Sequence, residues 1–313
     1  MVIHLAGAEG VLLRRVAHEA GYDDNYLRRE VRAKRLVRIR QGVYVVAPVW
    51  HQSDSVDRHR LLSLGVMMLY GDDVALSHTS ACIEQGGPSW GLPLDNAHLT
   101  SLYGIGERTA AHVTHHRGRL LVDDVTRNHG HWITSPTRTA LDTASISPRD
   151  AAVCVLDWFQ QQGLTDRASL ERGFTRMKDW PDTLALHMML HLSDGRAESV
   201  GETRTRLLLK DAGMPVPTPQ VEIRHPSGLL AGRVDFAWPS HRLMLEFDGR
   251  SKYLRHRRPN ETLEQSIFRE KAREDLLREL TGWFMIRLVW ADLEDPVRTA
   301  NRIRRALERS AAA

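Results

Sequence analysis

Residues 243–249 read Leu243-Met244-Leu245-Glu246-Phe247-Asp248-Gly249, a short apolar run that ends in two carboxylates and a glycine. With the two-residue period of a strand, Leu243, Leu245 and Phe247 fall on one face, and Met244, Glu246 and Asp248 on the other. One face is expected to be core and the other to carry acid. Just upstream, Arg233-Val234-Asp235-Phe236-Ala237-Trp238 alternates in the same way, with Val234, Phe236 and Trp238 on the apolar side and Asp235 opposite. Pro239-Ser240-His241-Arg242 supplies a turn, so the two runs are expected to pair as an antiparallel hairpin. Asp235, Glu246 and Asp248 then converge. Carboxylates gathered on neighbouring strands repel one another unless a hard cation or a proton neutralises them. Taken alone, the hairpin is equally well read as an edge with solvated acids.

The flanks narrow the choice. Before the hairpin, Arg196 to Asp211 reads as a helix ended by Ala212-Gly213 and Pro215, with Glu198 and Glu202 one turn apart. Gln220 to Ile223 reads as a first strand, Glu261 to Leu280 as a charged amphipathic helix carrying Lys271 and Arg273, Trp283 to Trp290 as a strand, and Pro296 to Arg309 as a last helix. An acid thus stands on the first helix, an Asp on the second strand and a Glu on the third. This order resembles the PD-(D/E)XK nuclease superfamily, and within it the very-short-patch-repair-like branch. The stretches that carry the resemblance are Glu198 through Arg204, Val234-Asp235-Phe236, Glu246-Phe247-Asp248-Gly249, Glu270-Lys271-Ala272-Arg273-Glu274-Asp275, and Gly282-Trp283 through Trp290-Ala291-Asp292-Leu293.

The resemblance covers roughly the last third of the chain and implies a restriction-endonuclease-like αβββαβ core over residues 191–313. It further implies Mg²⁺ (or Mn²⁺) held by Asp235 and Glu246, with Glu202 completing the shell, and a lysine two residues after the glutamate. Asp248 occupies that lysine's position. Lys252, four residues further on and after the Gly249 turn, or Lys271 on the following helix would have to supply the positive charge.

At the other end, Leu12 to Glu19 reads as a helix stopped by Gly21, and Asp23-Asp24-Asn25 as the cap of a second helix through about Ala33. Two short helices about a glycine turn are the helix-turn-helix pattern. Leu36 to Arg40 and Val43 to Val46 follow as a hairpin around Gln41-Gly42, which would be the wing of a winged helix. Arg28, Arg29, Arg32, Lys34, Arg35, Arg38 and Arg40 stand here against the single acid Glu30, a distribution suited to double-stranded DNA phosphates. A solvated helix face on a protein-interaction module is the competing reading. Leu36-Val37-Arg38-Ile39-Arg40-Gln41-Gly42-Val43-Tyr44 matches the phrase that closes the winged helix of AbiEi-type antitoxins, and the stretch resembles that family. Gly91-Leu92-Pro93, His98-Leu99-Thr100 and Thr134 through Asp142 continue the resemblance into a small middle α/β module. Residues 1–50, 51–190 and 191–313 are accordingly expected as three domains of a mixed α+β and α/β chain.

Within the middle segment, Arg138 and Asp142 stand four apart on one helix face, where an ion pair is the ordinary expectation. His112, His115, His116, His129 and His131 lack a Cys or carboxylate at ligand spacing and read as neutral loop residues. The 313 residues are 42% hydrophobic and 26% charged, with a net charge of +4, the balance of an ordinary water-soluble chain of two or three domains. No run of about 18 apolar residues exists and no signal-peptide pattern opens the chain, so a cytoplasmic location without a membrane partner is expected. Cys82 and Cys154 are too few for a disulfide framework.

Two functions follow from these features. One is a metal-dependent DNA endonuclease, positioned by its winged helix and serving in phage defence. The other is an AbiEi-like antitoxin or repressor whose nuclease-like domain is inactive and mediates homodimerisation or binds a cognate toxin.

Overall fold

The computed structural model describes residues 2–103, 108–177, 183–249 and 262–311. Among these the chain is mixed α/β with three sheets, and it divides into two compact units, Met1–Ser193 and Asp194–Ala313. No helix of the described residues is long and apolar enough to cross a membrane.

The first unit opens with β1 (Val11–Leu13), α1 (Arg14–Glu19), α2 (Asp24–Arg32), β2 (Leu36–Arg40) and β3 (Val43–Val46). The strands form an antiparallel sheet in the order β1-β3-β2. The helix expected from Leu12 starts at Arg14 instead. Val11, Leu12 and Leu13 are all buried and pair with Val45, Tyr44 and Val43, so a strand satisfies backbone groups that a helix start would leave orphaned. Asp23 caps α2 by accepting from the Tyr26 N–H at 2.7 Å.

Next come α3 (Ala47–Gln52) and α4 (Ser55–Tyr70). Leu61, Leu62, Val66 and Met67 of α4 belong to the same buried cluster as Val11, Leu13, Val43 and Val45 of the small sheet and Val74, Leu76, Leu99 and Ile133 further on. Gly65 permits this approach, because a Cβ there would come within 2.4 Å of Val43. The segments expected at 1–50 and 51–190 therefore share one hydrophobic core.

The rest of that core rests on a six-stranded mixed sheet. Its elements are β4 (Val74–Leu76), α5 (His78–Glu84), β5 (Ala97–Ser101), β6 (Arg108–Ala110), β7 (Val113–His116), β8 (Val125–Asn128) and β9 (His131–Thr134), with strand order β6-β7-β5-β4-β9-β8. Helices α6 (Pro136–Ser145), α7 (Arg149–Gln161), α8 (Arg167–Met177) and α9 (Thr183–Leu192) complete the unit. The expected Arg138–Asp142 pair is present at 2.7 Å and is buried, and Arg138 also reaches Asp124 at 3.2 Å. Burial pushes the Asp142 carboxyl up to about 6, against the pull of Arg138.

The histidines divide. His112 and His129 are exposed, but His115 and His116 lie buried on β7 rather than in a loop. His116 stacks on His78 with ring centroids 3.5 Å apart, and its Nε2 lies 2.7 Å from His98 Nδ1, so the two rings share one proton between them. Burial, together with neighbouring histidines, lowers His98 to about 3 and His116 to about 4, and His78 lies well below its ordinary value. Unfolding returns these rings to an ordinary value near 6.5, so between that pH and about 4 the unfolded chain holds more protons than the folded one. Stability therefore falls as pH falls through this window, by about 1.4 kcal/mol per pH unit for each proton of difference. The urea midpoint is expected to drop across it, and His116→Gln to flatten the drop. A wild-type midpoint that stays level from neutrality to pH 4 would contradict the buried neutral cluster.

The second unit runs α10 (Val200–Asp211), β10 (Thr218–Arg224), β11 (Leu230–Trp238), β12 (Leu243–Phe247), α11 (Leu263–Thr281), β13 (Phe284–Leu288), α12 (Trp290–Leu293) and α13 (Pro296–Ala311). Its sheet has the order β10-β11-β12-β13, with β12 and β13 parallel and the other pairs antiparallel. The expected hairpin is present, in the register Phe236↔Leu245, Ala237↔Met244 and Trp238↔Leu243. Its turn is a 3-10 segment, Pro239–His241, closed by Arg242 in the left-handed region at φ 47.

Phe236, Trp238, Leu243, Leu245 and Phe247 pack against Leu208 and Leu209 of α10 and Ile303 and Leu307 of α13. The opposite, acid-bearing face is covered too. Leu277 of α11 packs there with Val234, Ala237, Met244 and Met285, so Val234 belongs with this second layer rather than with Phe236. The cause is topological, since parallel β12 and β13 need a crossover, and the crossover helix lies on a sheet face.

Candidate active site and candidate nucleic-acid interface

Just past the Phe236–Leu245 pair, where the β11–β12 ladder ends, Asp235 of β11 and Glu246 of β12 line one cavity. Both are nearly buried, with 9% and 6% exposure, which is rare for carboxylates without partners. Asp235 Oδ2 accepts from the Phe247 backbone N–H at 2.7 Å, and Glu246 Oε1 accepts from Arg273 Nη2 at 2.6 Å. Asp248 follows at the strand end, where its own N–H donates to the Leu288 carbonyl at 2.7 Å and ties the chain to β13. A cavity of about 370 Å³ opens over these groups, setting Asp235, Glu246 and Asp248 against Arg233, Arg269 and Arg273.

Burial pushes the Glu246 carboxyl up. Arg273 opposes that shift, while Asp235 and Glu270 add to it. Burial works against the Arg273 charge, but Glu270 and Glu246 outweigh it and raise its pKa. Arg287, reaching in from β13, lies 2.9 Å from Glu270, 3.1 Å from Glu274, 3.6 Å from Glu246 and 3.7 Å from Asp248.

Glu202 is placed differently from Asp235 and Glu246. Ser199 caps α10 by accepting from the Glu202 N–H at 3.2 Å, and its hydroxyl donates back to Glu202 Oε1 at 2.8 Å. The Glu198 N–H and Gln220 Nε2 both donate to Glu202 Oε2, at 2.9 and 2.8 Å. This carboxylate, 2% exposed, helps hold the start of α10 and is not among the residues lining the cavity. The signal was in the sequence, because Ser199-Val200-Gly201-Glu202 is a capping box. Glu198, its neighbour one turn back, lines the cavity instead and pairs with Arg233.

Gln220 also lines the cavity and could not be found from pattern. It takes a left-handed φ of 53 inside β10, a conformation costly for a non-glycine residue. At Gly201, α10 comes so close to β12 that a Cβ would meet the Phe247 ring at 1.9 Å. Lys271 is exposed on α11 and is not part of the cavity wall, and Lys252 lies outside the described residues. Positive charge at the described acids comes from Arg273 and Arg287, which sequence reasoning did not assign. A lone arginine inside the apolar strand Phe284–Leu288 was the available clue.

The resemblance implies a divalent cation. Magnesium is commonly held by one or two carboxylates, with water and phosphate oxygens filling the remaining positions. Asp235 and Glu246, two hard donors lining one cavity, fit that pattern. Among the described residues no group of three His, Cys, Asp or Glu side chains is placed to hold a metal ion, so the fit is to a two-carboxylate site.

In the first unit, Arg28, Arg29, Arg32, Lys34, Arg35 and Arg38 are all exposed over α2, the turn after it and β2. Two of the seven expected cations have internal duties. Arg35 grips the buried Glu30 with two hydrogen bonds of 2.7 and 2.6 Å, and holds that carboxyl below its usual range. Arg40 is half buried over the Tyr70 ring, 5.4 Å from its centroid, and donates to the Tyr70 hydroxyl at 3.3 Å. Arg28, Arg32, Lys34 and Arg38 make the more open face, with Arg29 resting over Tyr26 at 5.5 Å.

No family model matches the sequence. It is similar to the uncharacterized proteins Rv2248 of Mycobacterium tuberculosis strain ATCC 25618 / H37Rv and MT2308 of strain CDC 1551 / Oshkosh. Each is 31% identical over 279 residues, which span 88% of this chain and 93% of the relative. A match of that length exceeds either compact unit and includes parts of both. The chain belongs to the family of these mycobacterial proteins.

Proposed function

We propose that the chain is a DNA-binding protein whose second unit is a restriction-endonuclease-like phosphodiesterase, with Mg²⁺ or Mn²⁺ as cofactor. The observation that carries this reading is that Asp235 and Glu246, on adjacent strands, line one cavity walled by guanidinium groups. The order of α10, β10, β11, β12, α11 and β13 supports an αβββαβ nuclease core. Helices α1 and α2 with the β2–β3 hairpin support a winged helix, in which α2 would lie along DNA and the hairpin would be the wing, as in AbiEi-type antitoxins.

A divalent ion at Asp235 and Glu246, when bound, would activate water and stabilise charge on the scissile phosphate. The chain's own residues do the remaining work. The Phe247 N–H fixes the Asp235 carboxylate, and the packing around Glu246 keeps bulk water from screening the site. Arg233 and Arg269, on the cavity wall, are placed to receive backbone phosphates, for which a planar guanidinium is the better partner than an ammonium.

One observation favours the regulator reading. Arg273 already balances Glu246, and Asp248 stands where the superfamily's lysine belongs, as in a nuclease-like domain retained for dimerisation or for a toxin partner. Supercoiled plasmid separates the two. The full-length protein is incubated with it in Mg²⁺, in Mn²⁺ and in a chelator; nicking confined to the metal lanes supports the nuclease, whereas retention of DNA without nicking in every lane supports the regulator.

A further inference from the structure

The cavity walls of the second unit carry five carboxylates, Glu198, Asp235, Glu246, Asp248 and Glu270, against four arginines. The formal balance is close to neutral, and one arginine accounts for most of it at the metal-binding end. Arg273 Nη2 donates at 2.6 Å both to Glu246 Oε1 and to Glu270 Oε1, its Nε donates to the Glu270 oxygens at 3.1 and 3.2 Å, and its Nη1 donates to the Arg233 carbonyl at 3.3 Å.

We propose that Arg273 exchanges partners: without a cation it neutralises Glu246, and when a divalent ion occupies Glu246 it turns its guanidinium to the phosphodiester of bound DNA. The inference rests on the nuclease reading of the same cavity and adds a positioning residue to it. Three features carry it. A guanidinium 2.6 Å from a carboxylate oxygen and a divalent ion on the same carboxylate repel at short range inside a poorly screened site. Release from Glu246 does not strand Arg273, because Glu270 already holds two of its nitrogens. Finally, a dication added to five carboxylates and four arginines leaves a single surplus positive charge, which one phosphodiester group cancels. Metal and DNA then bind cooperatively through this residue, and the coupling is reciprocal.

Arg287 is the internal comparison. It stands 3.6 Å from Glu246 and is engaged more closely by Glu270 and Glu274, so it should compete less with a cation.

The test uses the full chain, with Mn²⁺ binding followed by paramagnetic resonance in the absence of DNA. Duplex binding is followed by fluorescence anisotropy in Ca²⁺, an oxygen-seeking cation of the same charge, and in chelator. Arg273→Gln is expected to raise Mn²⁺ affinity about tenfold and to shrink the gain in duplex affinity that Ca²⁺ gives the wild type. Arg287→Gln should move both less. Arg273→Lys keeps the charge but not the fork, so Mn²⁺ affinity should stay near wild type while the Ca²⁺-dependent gain falls.

Equal Mn²⁺ affinity in a folded Arg273→Gln and in the wild type would overturn the exchange and leave Arg273 a strut between α11 and the sheet, with the nuclease reading untouched. Absence of Mn²⁺ binding in all of these proteins would overturn both. Should Arg273→Gln fail to fold, the Lys variant decides alone, and loss of neither quantity in it overturns the proposal.

Discussion

Plasmid nicking in Mg²⁺ or Mn²⁺ is expected to fall by about a thousandfold or more in Asp235→Asn and in Glu246→Gln, the scale on which loss of a metal-held charge acts on a phosphoryl-transfer barrier. The two substitutions are chosen so that the fold stays. Asn at 235 keeps an oxygen to accept from the Phe247 N–H, and loss of the Glu246 charge leaves Arg273 with Glu270. Neither is expected to raise the melting temperature, because Arg273 already balances the charge that neighbouring carboxylates would otherwise have to tolerate. Cleavage that survives a chelator, or that persists in both variants, would remove Asp235 and Glu246 from the chemistry.

The second large effect is expected in the first unit. Replacing Arg28, Arg32 and Arg38 together with Gln, in an Asp235→Asn background that prevents cleavage, should weaken duplex binding at low salt by about a hundredfold. It should also reduce the slope of log affinity against log salt by about two to three, because each lost phosphate contact removes about 0.9 from that slope. Arg35→Gln and Arg40→Gln should behave otherwise. Their guanidiniums hold Glu30 and Tyr70, so their substitution should lower stability before it lowers affinity. Unchanged affinity and slope in the triple variant would make this face a protein-interaction surface.

The hairpin at Arg233–Phe247 was legible from alternation alone, because a period of two and a turn leave few other arrangements. So was the gathering of Asp235, Glu246 and Asp248, which share one cavity wall. What alternation could not supply was the crossover helix α11 covering the second face, since that cover arises from the parallel β12–β13 pair and not from either strand. The roles of Arg273 and Arg287 were hidden for the same reason. Arg273 has a local partner in Glu270, the acids around Arg287 are all distant in sequence, and only the tertiary fold brings either to Glu246. The engagement of Glu202 at the start of α10 was legible too, in its spacing from Ser199. At the other end, Leu12 and Leu13 read as the start of a helix, and their pairing with β3 makes them part of a strand instead.

The core shared by β1, β3, α4 and the six-stranded sheet bears on how this protein can change its surface. A DNA reader joined by a linker can be exchanged whole, like a tool on a handle. Here the inner face of the small sheet, Val11, Leu13, Val43 and Val45, is a wall of the next layer's interior, and Gly65 leaves no room for a bulkier fit against Val43. A transplant cut at residue 50 would leave both halves with an apolar wound. The exposed side chains between Arg28 and Arg38 can therefore vary one position at a time, while the scaffold beneath them stays fixed.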